Sequence, residues 1–79
     1  MSRSYTLYTI STCPFCRRVE TFMKKRGIDL PRKDILAEAG ARDELISIGG
    51  KGQVPCLVID GKALYESAEI IAYMGRSLL

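Results

Sequence analysis

Cys13-Pro14-Phe15-Cys16 is the stretch that decides how this chain is read. Two cysteines at this spacing, placed at the start of a helix, share one turn, so their sulfurs can close into a disulfide with little backbone movement. Unpaired N–H groups and the positive dipole end at a helix start favour a thiolate over a thiol. Pro14 suits the first helical position, where an N–H would have no partner. The motif therefore implies two unequal thiols able to exchange with a disulfide. Cys13 is the exposed nucleophile, and Cys16 turns inward.

The flanking sequence supplies the elements that would hold such a motif. Ser4 to Thr9 predicts a strand in which Leu7 alternates with polar neighbours, and the Ser11-Thr12 loop delivers the cysteines. The first helix is predicted from Pro14 to Arg26. Phe15, Val19, Phe22 and Met23 form its apolar stripe, and Gly27 is its left-handed cap. Ile28 to Ile35 reads as a second strand, which Pro31 confines to a sheet edge or to the strand's beginning. Parallel pairing of the two strands, with the helix as a right-handed crossover, makes a βαβ unit.

A short helix follows from Ala39 or Gly40 to Ile48, with Leu45 and Ile48 inward and Gly49-Gly50 ending it. Val54–Ile59 and Lys62–Tyr65 flank Asp60-Gly61, a dipeptide that favours a tight type I′ hairpin. Ser67 can cap a last helix that buries Ile70, Ile71, Met74 and Leu78, with Tyr73 at its margin. The order β-α-β-α-β-β-α predicts an α/β fold, a mixed four-stranded sheet covered by helices, as a single domain over residues 1–79.

Composition narrows the chemistry. With 3 Cys and 0 His in the chain, one molecule cannot build a Cys₄ or Cys₂His₂ zinc site or a His-assisted nucleophile. No apolar run approaches the ~20 residues of a membrane span, and Met1-Ser2-Arg3-Ser4-Tyr5 does not lead into a signal-peptide core. The expected compartment is thus the cytoplasm, where a close cysteine pair is more often catalytic or metal-binding than structural. The net charge of +3 is modest, and Lys24-Lys25-Arg26 reads as a solvated helix face. Without aromatic interleaving or a recognised motif, nucleic-acid binding is not expected.

Two further segments point at the cysteines. In Gln53-Val54-Pro55 a proline opens a strand, where it removes a ladder donor; a trans start and a cis bond that bends the chain beside the cysteines are both open. Glu66-Ser67 begins the last helix, where N–H groups and a hydroxyl can hold a carboxylate or serve as an ordinary cap. Cys56 follows the proline and reads as a buried core thiol.

Thr12-Cys13-Pro14-Phe15-Cys16, Gln53-Val54-Pro55 and Tyr65-Glu66-Ser67 together resemble the glutaredoxin family over nearly the whole chain. Gly52-Gln53-Val54-Pro55-Cys56-Leu57 and Leu64-Tyr65-Glu66-Ser67-Ala68 are similar in particular to the amino-terminal thioredoxin-fold domain of glutathione transferases. The resemblance implies a thioredoxin-like fold, a cis Val54–Pro55 bond, and glutathione as reductant and co-substrate. It implies that Cys13 and Cys16 are catalytic and that Gln53, Val54 and Pro55 line the glutathione site, with the cysteinyl backbone paired to Val54. By position, Phe15 forms an aromatic wall, Lys51 meets the glycyl carboxylate, and Glu66 and Ser67 receive the γ-glutamyl amine and carboxylate.

The implied activity is reduction of glutathione mixed disulfides and protein disulfides, with Cys16 resolving. The implied partners are glutathionylated or disulfide-containing proteins, ribonucleotide reductase among them, and the expected state is a monomer. Departures from the family pattern are Ile10 in place of a lysine three residues before Cys13, Phe15 for tyrosine, and Leu64-Tyr65 for a Gly-Gly pair. Two replacements for the lysine's charge are open: Arg17, or the helix start itself as the support of the Cys13 thiolate. Two alternatives stand beside this reading. One is a dithiol donor reduced by thioredoxin reductase; the other is a protein holding an iron–sulfur cluster through Cys13 and glutathione, against which Pro14 counts.

Overall fold

A computed structural model describes residues 4–77. Its first strand, β1 (Tyr5–Thr9), lies inside the sheet, and its alternation sends Leu7 and Tyr8 to opposite faces. Both are buried, at 0% and 2% exposure, because helices cover both faces. Tyr8 is thus not the polar neighbour of Leu7 that the strand pattern predicts. Its ring packs with Ile35, Leu45 and Val58, while its hydroxyl donates to Glu44.

The first helix, α1 (Pro14–Arg26), has the predicted bounds, and Gly27 caps it at φ 69°. Its inward line is Cys16, Val19 and Met23, with Phe22 partly buried. Phe15 departs from the predicted stripe at 58% exposure. Cys16 takes the place over the sheet in that first turn, which leaves Phe15 at the rim.

The second strand, β2, is only Arg32–Asp34, paired parallel to β1 on a sheet edge, instead of Ile28–Ile35. Ile28 is held back by the helix end, donating its N–H to Met23 O at 2.9 Å. Pro31 still accepts from Leu7 N–H, but it has no N–H to give. α2 (Ala41–Gly49) buries Leu45 and half-buries Ile48, beginning after Gly40, whose φ is 81°.

The chain then forms β3 (Cys56–Ile59) and β4 (Lys62–Tyr65), giving the sheet order β2-β1-β3-β4. The predicted Val54–Ile59 strand loses its first two residues because the Val54–Pro55 peptide is cis and Pro55 lacks a ladder donor. Asp60 and Gly61 turn the hairpin at φ 49° and 84°, the two positive values that a type I′ turn requires. α3 (Ser67–Ser77) buries Ile70 and Met74, and Ile71 and Tyr73 are partly buried. Leu78 lies outside the described residues. Ser67 is the first helical residue rather than the cap: Glu66 precedes the helix at φ 74° and accepts Ile70 N–H at 3.0 Å.

Leu7, Val19, Met23, Leu57, Ile70 and Met74 form the core between the sheet and the pair α1 and α3. Tyr8, Ile35, Ala41, Leu45, Cys56 and Val58 form the core on the α2 side.

Candidate active site

Sheet register brings three distant segments to one end of the molecule. Tyr8 pairs with Cys56, and Cys56 with Tyr65. One step further along this row, at the same end of all three strands, stand Thr9, Pro55 and Glu66. Thr9 leads through Ile10 to the cysteine motif, and a tight turn closes there with Cys13 N–H donating to Ile10 O at 3.1 Å. Cys13, Cys16, Val54, Pro55, Glu66 and Ser67 therefore come from four elements or their edges and converge on this end. Ile10 and Val54 each pack against the α2-side core.

Cys13 occupies the cap position of α1 with an extended backbone, φ −82° and ψ 122°, and no side chain caps the helix. Its sulfur is half-buried, which by itself raises a thiol's pKa. Hydrogen bonds from the Cys16 N–H, the Cys16 thiol and the Phe15 N–H outweigh that cost and hold Cys13 below the ordinary thiol range. Among the described residues no cation contributes to this lowering, so the substitution of Arg17 for the missing lysine is not what the structure shows. The helix start does that work alone.

Cys16 is fully buried and its thiol is pushed up, first by burial and then by the neighbouring Cys13 sulfur. Hydrogen bonds from the Thr9 hydroxyl and the Ile10 backbone oppose that rise. Cys56 is also fully buried, and burial pushes it up to about 11 against weaker opposing bonds from Leu64 and Tyr65. The expectation of a core thiol at Cys56 matches this environment.

The remaining predicted residues are placed as follows. Phe15 stands exposed beside Cys13, Gln53 is exposed, and Pro55 is buried. Glu66 is exposed at the start of α3 and Ser67 is buried. Lys51 is tied to Tyr65, whose hydroxyl donates to the Lys51 carbonyl at 2.9 Å, and its Nζ lies 4.7 Å from the Tyr65 ring centroid. Tyr65 thus anchors the loop before the cis proline, a role that its place in the sequence does not announce. Thr9 is likewise unannounced except by its position two residues after Leu7, a polar side chain on a face that Leu7 marks as apolar.

A family model for glutaredoxin matches residues 5–64, a span that includes the cysteine motif, the cis proline and most of the hairpin. The chain belongs to the glutaredoxin family. It is 32% identical over 70 residues to glutaredoxin 3 of Escherichia coli strain K12, covering 89% of this chain and 84% of that one. Its fold is also that of about a third of each of two glutathione transferases. One is the Omega 3C enzyme of Trametes versicolor, with a TM-score of 0.81, 24% identity, and coverage of 99% of this chain and 35% of that one. The other is rice GST1 in complex with glutathione, with a TM-score of 0.77, 20% identity, and coverage of 99% and 34%. The family makes this protein a thiol–disulfide oxidoreductase, and the thiols at the end of the sheet are the groups suited to that chemistry.

The contrast among the three thiols predicts selective alkylation. A lowered pKa keeps Cys13 as thiolate to a lower pH than a free cysteine, and reactivity is lost only as pH falls through that lowered value. With iodoacetamide at pH 7, peptide mapping is expected to find label on Cys13 and almost none on Cys16 or Cys56. Equal labelling of Cys13 and Cys56 in the folded protein would contradict the assigned environments.

Proposed function

We propose that this glutaredoxin uses glutathione as its reductant and that Cys13 and Cys16 divide the work. The observation that carries the proposal is the inequality of the two sulfurs, one half-exposed and held low, the other fully buried and held high. The Cys13 thiolate attacks the glutathione sulfur of a mixed disulfide; the substrate sulfur leaves as thiolate and Cys13 becomes glutathionylated. A second glutathione thiolate attacks the glutathione sulfur on Cys13, forming oxidised glutathione and restoring the Cys13 thiolate. With a protein disulfide, Cys16 attacks the sulfur of Cys13 instead, leaving an internal Cys13–Cys16 disulfide.

The glutathione site of this reading lies between Phe15, Lys51 and the Gln53–Pro55 segment on one side and Glu66 and Ser67 on the other. It is supported by the pairing of Cys56 with Tyr65, beyond which Pro55 and Glu66 follow at the same end of the sheet, and by the helix start at Ser67, whose N–H groups suit a carboxylate. The glutathione held by the rice transferase, which shares the fold, supports it further. This reading assigns a monomer in the cytoplasm, acting on glutathionylated or disulfide-containing proteins, with ribonucleotide reductase a candidate.

A coupled assay with a small glutathione mixed disulfide, glutathione and glutathione reductase tests it. NADPH consumption is expected to depend on both glutathione and the protein. A second reading, reduction by thioredoxin reductase, is favoured by Ile10, which removes a cation from the glutathione side. Turnover with thioredoxin reductase and none with glutathione would establish that reading instead.

A further inference from the structure

We propose that Glu20, acting through the Thr9 hydroxyl, accepts the proton of Cys16 as Cys16 attacks the mixed disulfide on Cys13. The inference rests on the resolving role of Cys16 and adds a route for its proton.

A buried thiol needs such a route, because the thiolate is the attacking species and Cys16 has no exposure to water. Thr9 is buried at 6% exposure, on the sheet face that carries Leu7 and meets α1. Its hydroxyl reaches the Cys16 sulfur and lies 3.5 Å from Glu20 Oε2, so that its single proton can turn to either partner. Glu20 follows Cys16 by four residues, so the two side chains rise on the same face of α1 with Thr9 across from them. Arg32 on β2 fixes the carboxylate from its other side, with a 3.2 Å contact to Oε1. Glu20 lines an open groove of about 810 Å³, so its proton can pass to solvent. The other charges on that groove are Arg17 and Lys24 from α1, Arg32 and Asp34 from β2, and Glu38 from the following loop.

The resting contacts explain when the route opens. In the reduced protein the Cys16 thiol donates to the Cys13 sulfur. Once Cys13 carries a substrate it is no longer a thiolate, and the Cys16 proton is free to turn to Thr9. That proton then passes to Thr9 Oγ1 while the Thr9 proton passes to Glu20 Oε2, converting the carboxylate to the acid. A bond forms between Cys16 Sγ and Cys13 Sγ, and the bond between Cys13 and the substrate sulfur breaks. The substrate leaves as thiolate with the electron pair, and the proton departs from Glu20 into the groove. Glu20 touches no reacting sulfur and is a positioning residue for Thr9 and for the proton.

Single-turnover mixing of the reduced full chain with oxidised glutathione tests the proposal. Acid-quenched mass spectrometry separates the first step, glutathionylation of Cys13, from the second, closure of Cys13–Cys16 with release of glutathione. E20Q is expected to slow the second step at least tenfold at pH 7, at or below the low end of what general-base assistance contributes. It should leave the first step unchanged and narrow the difference as pH rises and hydroxide takes over. Thr9→Val should show the same split, and Thr9→Ser should retain the wild-type second step. An E20Q protein that closes the disulfide at the wild-type rate, or that loses both steps equally, overturns the relay. Cys16→Ser separates this from its premise: loss of the Cys13–glutathione disulfide from that variant once free glutathione has been removed refutes the resolving role itself.

Discussion

Cys13→Ser is expected to abolish turnover on every disulfide substrate, a loss of at least several orders of magnitude. A serine hydroxyl remains protonated at neutral pH and cannot form the covalent mixed disulfide on which each later step depends. The helix-start hydrogen bonds that hold the Cys13 thiolate would be left facing a neutral oxygen. Cys16→Ser should behave differently. It removes the sulfur that closes on Cys13 and with it the reduction of protein disulfides, but glutathione itself can still clear a glutathionylated Cys13. Steady-state assays on a glutathionylated peptide and on a protein disulfide, run side by side for both variants, check this. Equal loss in the two variants on both substrates would remove the proposed division of labour.

Much of this arrangement is legible in the sequence, for reasons that are local. A proline and two cysteines fix the beginning of α1, and Gly27 fixes its end, because both are set by backbone chemistry at single positions. Asp60-Gly61 announces its hairpin through the positive φ that both residues adopt. What the sequence conceals depends on what lies opposite. Tyr8 looks like an amphipathic strand residue until α2 covers it and Glu44 takes its hydroxyl. Phe15 has the spacing of a core residue yet stays exposed, since Cys16 occupies the place over the sheet. Ile28 and Leu30 have the composition of a strand, but they pack against the α1 and α3 core before β2 begins.

The candidate site divides in the same way. The cysteine motif, Pro55 and the Glu66-Ser67 helix start are each readable, and the register from Tyr8 through Cys56 to Tyr65 supplies their proximity. Thr9 and Tyr65 are not readable as site residues, because each acts by reaching a partner that is distant in the chain. Thr9 contacts Cys16 and Glu20, and Tyr65 holds the carbonyl of Lys51. Such roles follow from which helix and loop residues settle on the paired strands, which no single segment encodes.

The same pairing makes Leu57 the side chain whose truncation should cost the most stability. It lies on β3 between Leu7 of β1 and Leu64 of β4 and is fully buried. Its cluster also contains Val19 and Met23 from α1 and Ile70 and Met74 from α3, so one side chain joins both helices to the sheet. Leu57→Ala should cost about 2–5 kcal/mol, combining lost burial with the cavity left behind. At roughly 0.05–0.15 kcal/mol per residue, a domain of this length holds only about 4–12 kcal/mol in total. A large share of the folded state's margin therefore rests on this contact. Urea unfolding should show a midpoint far below wild type with an unchanged slope. Leu36→Ala is the matched control: Leu36 is 73% exposed, and its truncation should change stability by no more than about 0.5 kcal/mol. Because Cys13 caps α1 and α1 packs with Leu57 through Val19, the Leu57 variant also tests whether the motif depends on the core. Assayed well below its unfolding transition, it should alkylate at Cys13 with the wild-type pH midpoint, since the helix-start bonds that hold the thiolate are local. A midpoint moved up to that of a free cysteine would mean that the first turn of α1 depends on the packing beneath it.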